Sequence, residues 1–137
     1  MKNNNQSGFS LIELLLVVVM IGVISSIAVP SLLKARAAAE NSGAYAMMRT
    51  INTLQVNYYS TNNRYARLDE LNAAQNNTLG TVSGTTLIRT KFVFEMAPAA
   101  PTDAQLKEAY TITATRIIGG SETPIVYTVN QSGAISP

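Results

Sequence analysis

Cysteine and histidine are both absent from this chain of 137 residues. Without cysteine there is no disulfide, thiolate metal site, cysteine nucleophile or lipid-anchored cysteine. Without histidine, the commonest general base and the commonest metal ligand are missing as well. These two absences argue against most enzyme mechanisms, and we expect neither an enzyme nor a bound cofactor.

Charge is also scarce, because charged residues make up only 13% of the chain, about half the usual share. The net charge of +2 is too small to indicate nucleic-acid binding, although a pI near 9.0 permits weak contact with it. The length allows one compact domain. The mean hydropathy of +0.13 is high for such a chain, and the apolar excess lies almost entirely in the first quarter.

The few carboxylates form no recognisable catalytic or metal site. Asp69 with Glu70, and Asp103 with Glu108, are the only candidates for acid–base pairs, and neither has a nucleophile and base beside it in a known pattern. After Glu108, Glu122 is the only acidic residue, so the C-terminal part offers no cluster of oxygen ligands. We therefore predict that these carboxylates lie on a solvated surface.

A long apolar segment runs from Phe9 to Leu33. Twenty residues between Glu13 and Lys34 carry no charge, and as a helix they would extend about 30 Å, the thickness of a bilayer core. A helix that is apolar on all sides must contact lipid or other helices. The segment is therefore predicted to enter a membrane, a bundle of helices, or each in turn.

Two simple interpretations of this segment leave one residue unexplained. It could be a secretory signal peptide with a cleavage site at Ser26-Ile27-Ala28, or a plain membrane anchor. Neither accounts for Glu13, since an ionisable residue inside a membrane segment costs about 2.5–3.5 kcal/mol and indicates a functional role.

The residues Gly8-Phe9-Ser10-Leu11-Ile12-Glu13-Leu14, followed by an apolar run, resemble the N-terminal signal of type IV pilins and the related pseudopilins. The resemblance extends to about Arg36. It implies that a prepilin peptidase cuts after Gly8 and that the new N-terminal Phe9 is methylated. The eight-residue leader is similar to those of the type IVa branch, whereas the disulfide that many type IV pilins carry cannot form here.

The same resemblance implies an assembly role for Glu13. Cleavage would create an amine at Phe9 that is mostly cationic at neutral pH and lies one helical turn from Glu13. In the family, this glutamate pairs with the N-terminus of a neighbouring subunit; a pair within one chain is the alternative that the sequence leaves open. Gly22 and Pro30 bracket a stretch that is expected to bend or to melt on assembly.

The fold class predicted for the chain is α+β, the pilin fold. A long N-terminal helix, apolar in its first half and amphipathic in its second, should pack on a C-terminal antiparallel meander of three to four strands. The predicted segments are a cleaved leader (1–8), an apolar helix that spans the membrane or forms the filament core (9–33), an amphipathic half-helix (34–60), a connecting loop (61–84) and the sheet (85–137), with 34–137 forming one globular head.

Finer features follow from hydrophobic periodicity. The helix should bury a stripe of residues at three- and four-residue steps (Ala44, Met47, Met48, Ile51, Leu54 and Tyr58) and end at Thr61-Asn62-Asn63. Asp69–Asn72 should form a helical turn. Strands are predicted at Thr86–Met96, Tyr110–Ile118 and Ile125–Val129, with a short fourth at Ala134-Ile135 and a turn at Gly119-Gly120.

The function implied by the resemblance is that of a structural subunit of a type IV pilus. Its expected partners are other copies of itself in a helical filament, the prepilin peptidase, the pilus assembly platform of the inner membrane, and membrane lipid before assembly. The expected location is the inner membrane as a single-pass protein, then the cell surface. The alternatives are a pseudopilin of type II secretion and a membrane-anchored binding domain that never polymerises.

One feature of the sequence disagrees with the orientation that the family implies. Lys2 precedes the apolar segment, whereas Lys34, Arg36 and Arg49 follow it. The positive-inside rule would place the side with more basic residues in the cytoplasm, and the family places that side outside. We follow the family signal, because the count is small.

Overall fold

The computed structural model describes residues 8–117 and 125–137. Over these residues the fold is α+β, a long N-terminal helix followed by an antiparallel sheet, which confirms the predicted fold class. The elements are α1 (Leu11–Asn62), α2 (Leu68–Ala74), β1 (Thr81–Ser83), β2 (Thr86–Arg89), β3 (Phe92–Met96), α3 (Asp103–Glu108), β4 (Thr111–Arg116), β5 (Val126–Asn130) and β6 (Ile135–Ser136).

The chain divides into two compact units, residues 1–39 and residues 40–137. Within the first unit, the described residues are the start of α1 and the three residues before it. The second unit contains the rest of α1, the two short helices and the whole sheet. The core of the protein lies in this second unit, which is called the globular unit below.

The sheet is a meander in which each strand pairs antiparallel with the next, in the order β1-β2-β3-β4-β5-β6. Its register places apolar residues side by side on one face: Leu87 opposite Phe94, Phe94 opposite Ala114, and Ile112 opposite Val129. All of these side chains are buried. The alternation that the sequence predicted along β3, with Phe92, Phe94 and Met96 inward, is confirmed.

The amphipathic part of α1 covers this face of the sheet. Four members of the predicted stripe are buried (Ala44, Met47, Met48 and Ile51), and the other two, Leu54 and Tyr58, are partly buried against the same cluster. The helix ends where the sequence predicted. The N–H of Asn63 donates to the C=O of Tyr59 at 2.9 Å, and Asn63 has a φ of 54°, the left-handed conformation that commonly follows a helix.

The predicted strand Thr86–Met96 is wrong in one respect, because it is a hairpin of β2 and β3. Arg89 pairs with Phe92 across a two-residue loop, and Thr90 in that loop has a φ of 57°. A β-branched residue seldom adopts this conformation, so the sequence carries no turn signal at this position. The loop stays closed because the hairpin is held by pairing and by the buried side chains of Leu87, Phe92 and Phe94.

The predicted number of strands is also wrong: the described residues form six. The additional strand β1 lies in the stretch predicted to be a connecting loop, and Gly84 (φ 61°) turns it into β2. The structure also contains a helix that the sequence analysis missed. In α3, Thr102 caps the first turn and exchanges hydrogen bonds with Gln105, a capping box that is readable in the sequence.

The remaining elements follow the predictions closely. The helical turn expected at Asp69–Asn72 is α2, and the strands expected before and after the C-terminal turns are β4, β5 and β6. The predicted turn at Gly119-Gly120 and the first seven residues of the leader lie outside the described residues.

Candidate functional site

The first unit exposes almost the whole of its apolar surface. Phe9 is 85% exposed, Leu14 is 62% exposed and Leu33 is 61% exposed, and every described residue from Gly8 to Leu33 is classed as exposed. This part of α1 is long and apolar enough to span a bilayer, with a mean hydropathy of 2.7 in its most apolar stretch. A signal sequence passes the same test, so the other features of the segment must distinguish the interpretations.

Residues Gly8 and Phe9, the candidate cleavage site, lie just before the helix. Both are exposed, and α1 begins at Leu11. A peptidase needs an accessible, non-helical backbone at the bond that it cuts. The position of this bond, one residue before the helix cap, meets that requirement.

Glu13 lies in the first turn of α1, and its carboxylate caps the helix. The N–H of Ser10 donates to Oε2 of Glu13 at 3.1 Å, and the N–H of Glu13 donates to the C=O of Ser10 at 3.1 Å. An acidic residue in this turn also interacts favourably with the positive end of the helix dipole. Within the chain, the carboxylate of Glu13 therefore accepts a hydrogen bond from Ser10, the residue that follows Phe9, and not from Phe9 itself.

The sequence analysis did not identify Ser10 as a site residue. The signal was present, since Ser10 and Glu13 form the Ser-x-x-Glu pattern that precedes many helices. This pattern marks the start of a helix and by itself gives Ser10 no role in function.

Gly22 and Pro30 both lie inside the continuous helix. No atom would come within 4 Å of a Cβ added at Gly22, so packing within the chain does not require a glycine there. Pro30 has no N–H, which leaves the C=O of Ser26 without its helical hydrogen bond. The hydroxyl of Ser26 donates to the C=O of Val23 at 2.7 Å. The helix is thus weakened at these two positions and stays helical in this structure.

Two of the four carboxylates considered as acid–base pairs, Glu70 and Asp103, are engaged in ion pairs. Both guanidinium nitrogens of Arg64 donate to Glu70, at 2.7 and 2.8 Å, and Arg67 bridges Glu70 and Asp103. The bond from Arg64 lowers the pKa of Glu70 from 4.5 to about 2, and the N–H of Arg67 adds to the effect. This network joins the start of α2 to the start of α3 and has a structural role.

The network predicts a loss of stability in acid. Glu70 has a lower pKa in the folded chain than in the unfolded chain, so its contribution is complete above pH 4.5 and disappears as the pH falls toward 2. We expect this contribution to be about 1–2 kcal/mol of unfolding free energy after solvent screening. In Glu70→Gln, urea unfolding should depend less on pH over this range. Glu95→Gln, which removes an exposed carboxylate, should keep the dependence; equal profiles for Glu70→Gln and the unaltered chain would contradict the prediction.

No group of three or more potential metal-ligating side chains occurs among the described residues. The aromatic side chains of the globular unit pack mainly on one another, with Tyr65 between Tyr59 and Tyr110 at centroid distances of 4.7 Å. Burial raises the pKa of Tyr110 to about 12, and its hydroxyl donates to Asn52 of α1. These contacts stabilise the core.

Comparison with known proteins bears on the same N-terminal segment. The family profile described as "Prokaryotic N-terminal methylation motif" matches residues 3–29. The chain is 36% identical over 64 residues to the type IV major pilin protein PilA of Myxococcus xanthus (strain DK1622). The aligned part is 47% of this chain and 29% of that protein, so the chain spans less than a third of the length of the relative. No solved structure gives a significant match.

Proposed function

We propose that this chain, which matches the N-terminal methylation motif and is similar to a type IV major pilin, is a pilin: a structural subunit that polymerises through its N-terminal helix into a type IV pilus. The family relationship supports a subunit of a pilus or a pseudopilus. Members of this family are structural proteins rather than enzymes. Motility, adhesion and DNA uptake are functions that such a filament would serve.

The observation that carries the proposal is the exposure of the apolar segment together with its processing motif. Residues 9–33 have no cover within their own unit, and exposed apolar surface of this extent requires another apolar phase. Before assembly that phase is the lipid of the inner membrane. After assembly it is the same segment of other copies, and identical subunits in a head-to-tail contact that does not close form a helical filament.

Assembly would exchange the lipid contacts of the apolar helix for contacts with the same helix of other subunits. A helix in a bilayer is already out of water, so moving it into a bundle gains little from the hydrophobic effect. Specific contacts must then decide the register of the incoming subunit. In this proposal Glu13 supplies one of them by pairing with the N-terminal amine of Phe9 on a neighbouring subunit. The assembly platform of the inner membrane would supply the work of extraction.

Processing by a prepilin peptidase is the step that creates this amine. We expect the mature chain to begin at Phe9 and to contain 129 residues (137 minus 8), with a methyl group on its nitrogen. Because Lys2 is lost, the net side-chain charge falls from +2 to +1. The intact mass of the protein purified from its host checks this prediction. A mature chain that begins near Val29 would instead support the signal-peptide interpretation.

Gly22 and Pro30 supply the bend or melting that the proposed filament uses. Between them the helix lacks the hydrogen bond to the C=O of Ser26, and packing within the chain does not require a glycine at position 22. A segment that loses little on unwinding can adapt its length when helices are crowded in a filament core. Replacement of Gly22 by alanine meets no steric obstacle within the chain, so it would stiffen the helix without disturbing the fold of the subunit.

Electron microscopy of sheared surface material, with mass spectrometry of the subunit, tests the proposal as a whole. Long fibres composed of the mature chain would support a pilus. A chain that is needed for secretion and forms fibres only when overproduced would support the pseudopilin alternative. A mature chain that remains in the membrane fraction without any fibre would support the non-polymerising anchor.

A further inference from the structure

One end of the globular unit carries several basic residues, and only some of them have a carboxylate partner among residues 8–117 and 125–137. Arg89 is the last residue of β2, and Lys91 lies in the two-residue loop before β3, which begins at Phe92. Both basic side chains are exposed. The N–H of Ile117 donates to the C=O of Lys91 at 2.7 Å, which places the end of β4 beside this loop. We call Arg89, Lys91 and Arg116 the basic end.

Only one of these three residues forms an ion pair in the described part of the chain. Arg116 donates to Glu40 at 2.8 Å, whereas the guanidinium of Arg89 contacts neutral atoms, Sδ of Met47 and the C=O of Leu79, each at 3.3 Å. No ion pair involves Lys91 among the described residues.

The opposite end of the sheet has a different charge balance. There, Arg64 and Arg67 are neutralised by Glu70 and Asp103. In the part of the globular unit that the structure describes, Arg89 and Lys91 therefore carry positive charge that no carboxylate pairs with. The positive charges of Arg89 and Lys91 do not neutralise a buried carboxylate among the described residues, so the fold of the globular unit does not depend on them.

The position of Glu40 shows that the basic end is connected to the apolar segment by a short stretch of chain. The ion pair with Arg116 places Glu40, the first residue of the globular unit, at the basic end. In the sequence, only six residues separate Glu40 from Leu33, the end of the apolar segment, and they include Lys34 and Arg36. Even a fully extended tether of this length reaches only about 25 Å.

We propose that the basic end of the globular unit contacts anionic phospholipid headgroups while the apolar segment is in the bilayer. Exposed Lys and Arg side chains near an anionic surface are attracted over about one Debye length. Ile117, which is 52% exposed, lies beside them as an apolar side chain able to enter the interface.

This proposal rests on the proposed insertion of the apolar segment, and its test separates the two. The full chain has neither cysteine nor tryptophan, so Ile117→Cys carries a single fluorophore at the basic end, and Ala100→Cys carries one beyond the far end of β3. Each labelled chain is reconstituted in vesicles that contain a headgroup-quenching lipid, made with phosphatidylcholine alone or with about one third phosphatidylglycerol. Flotation measures insertion independently of quenching.

We expect phosphatidylglycerol to increase quenching severalfold at position 117 and not at position 100. About 1 M NaCl, where the Debye length is about 3 Å, should abolish the increase. Lys91→Gln should weaken the contact about fivefold, the effect of one cation near an anionic surface. Lys107→Gln, which removes an exposed lysine from α3 at the other end, is the matched control and should leave it unchanged.

Three results would overturn the proposal. One is equal quenching at position 117 in both lipids by a chain that floats with the vesicles. Another is an equal loss of quenching in Lys91→Gln and Lys107→Gln. The last is a response of the label to a DNA oligonucleotide without a response to phosphatidylglycerol, which would assign the basic end to nucleic acid. A chain that does not float contradicts the proposed membrane insertion instead.

Discussion

Glu13→Leu is expected to abolish fibre formation while cleavage after Gly8, membrane insertion and the fold of the globular unit remain intact. The substitution removes a carboxylate that costs about 2.5–3.5 kcal/mol in the bilayer, so insertion is favoured rather than weakened. What is lost is the partner of the Phe9 amine on a neighbouring subunit. In an apolar filament core that amine would remain charged and unpaired, which costs several kcal/mol. Fibre yield should fall at least tenfold, with mature subunits accumulating in the membrane.

The hydrogen bond between Ser10 and Glu13 makes a second variant more informative. Glutamine at position 13 keeps an acceptor for the N–H of Ser10, as in other capping boxes, and removes only the charge. If the charge carries assembly, Glu13→Gln should be nearly as defective as Glu13→Leu. If fibre assembly instead requires only the hydrogen bond that caps the helix, Glu13→Gln should form normal fibres.

The measurement is the amount of subunit in sheared fibres relative to the total, at equal expression. A substitution between two apolar residues one turn away, Val17→Leu, is the control for changes of shape in the same segment. Normal fibre yield from Glu13→Leu would remove the proposed role and leave a membrane anchor with a pilin-like processing motif.

Gln55→Leu should lower the stability of the globular unit by about 2–4 kcal/mol. Gln55 is completely buried in α1, and its amide pairs with the backbone of Ala66: Nε2 donates to the C=O and Oε1 accepts from the N–H, both at 2.8 Å. Leucine fits a buried position but leaves both backbone groups without partners, at about 1–3 kcal/mol each. The apolar gain offsets part of this loss.

Urea unfolding of a chain that begins at Ala35 measures this effect in the absence of detergent. We expect that chain to be soluble and folded, because residues 40–137 form a compact unit with its own core. Asn57→Leu, an exposed change on the same helix, is the control and should shift stability by no more than about 0.5 kcal/mol. A Gln55→Leu chain as stable as the unaltered one would show that Ala66 finds other partners.

The sequence by itself determined the fold class and the segment in which the candidate site is proposed. Twenty uncharged residues in a row require an apolar environment whatever the fold, and a three- and four-residue repeat places Met47, Met48 and Ile51 on one side of a helix. The processing motif is equally local, since a peptidase reads a short contiguous segment. Such features depend on neighbours in the chain, and the structure and the comparisons agree with them.

Only the tertiary structure decided which distant residues meet. The turn at Thr90 forms against its own conformational preference because the two strands that it joins are paired and bury Leu87, Phe92 and Phe94. In the sequence, Gln55 is an ordinary polar residue of an amphipathic helix, and only the fold shows that it is buried and bonded to the backbone of Ala66. The neutralised arginines at one end of the sheet and the exposed Arg89 and Lys91 at the other likewise have no signature in the sequence. Their energies depend on burial and on partners that chain folding brings together, which no local pattern encodes.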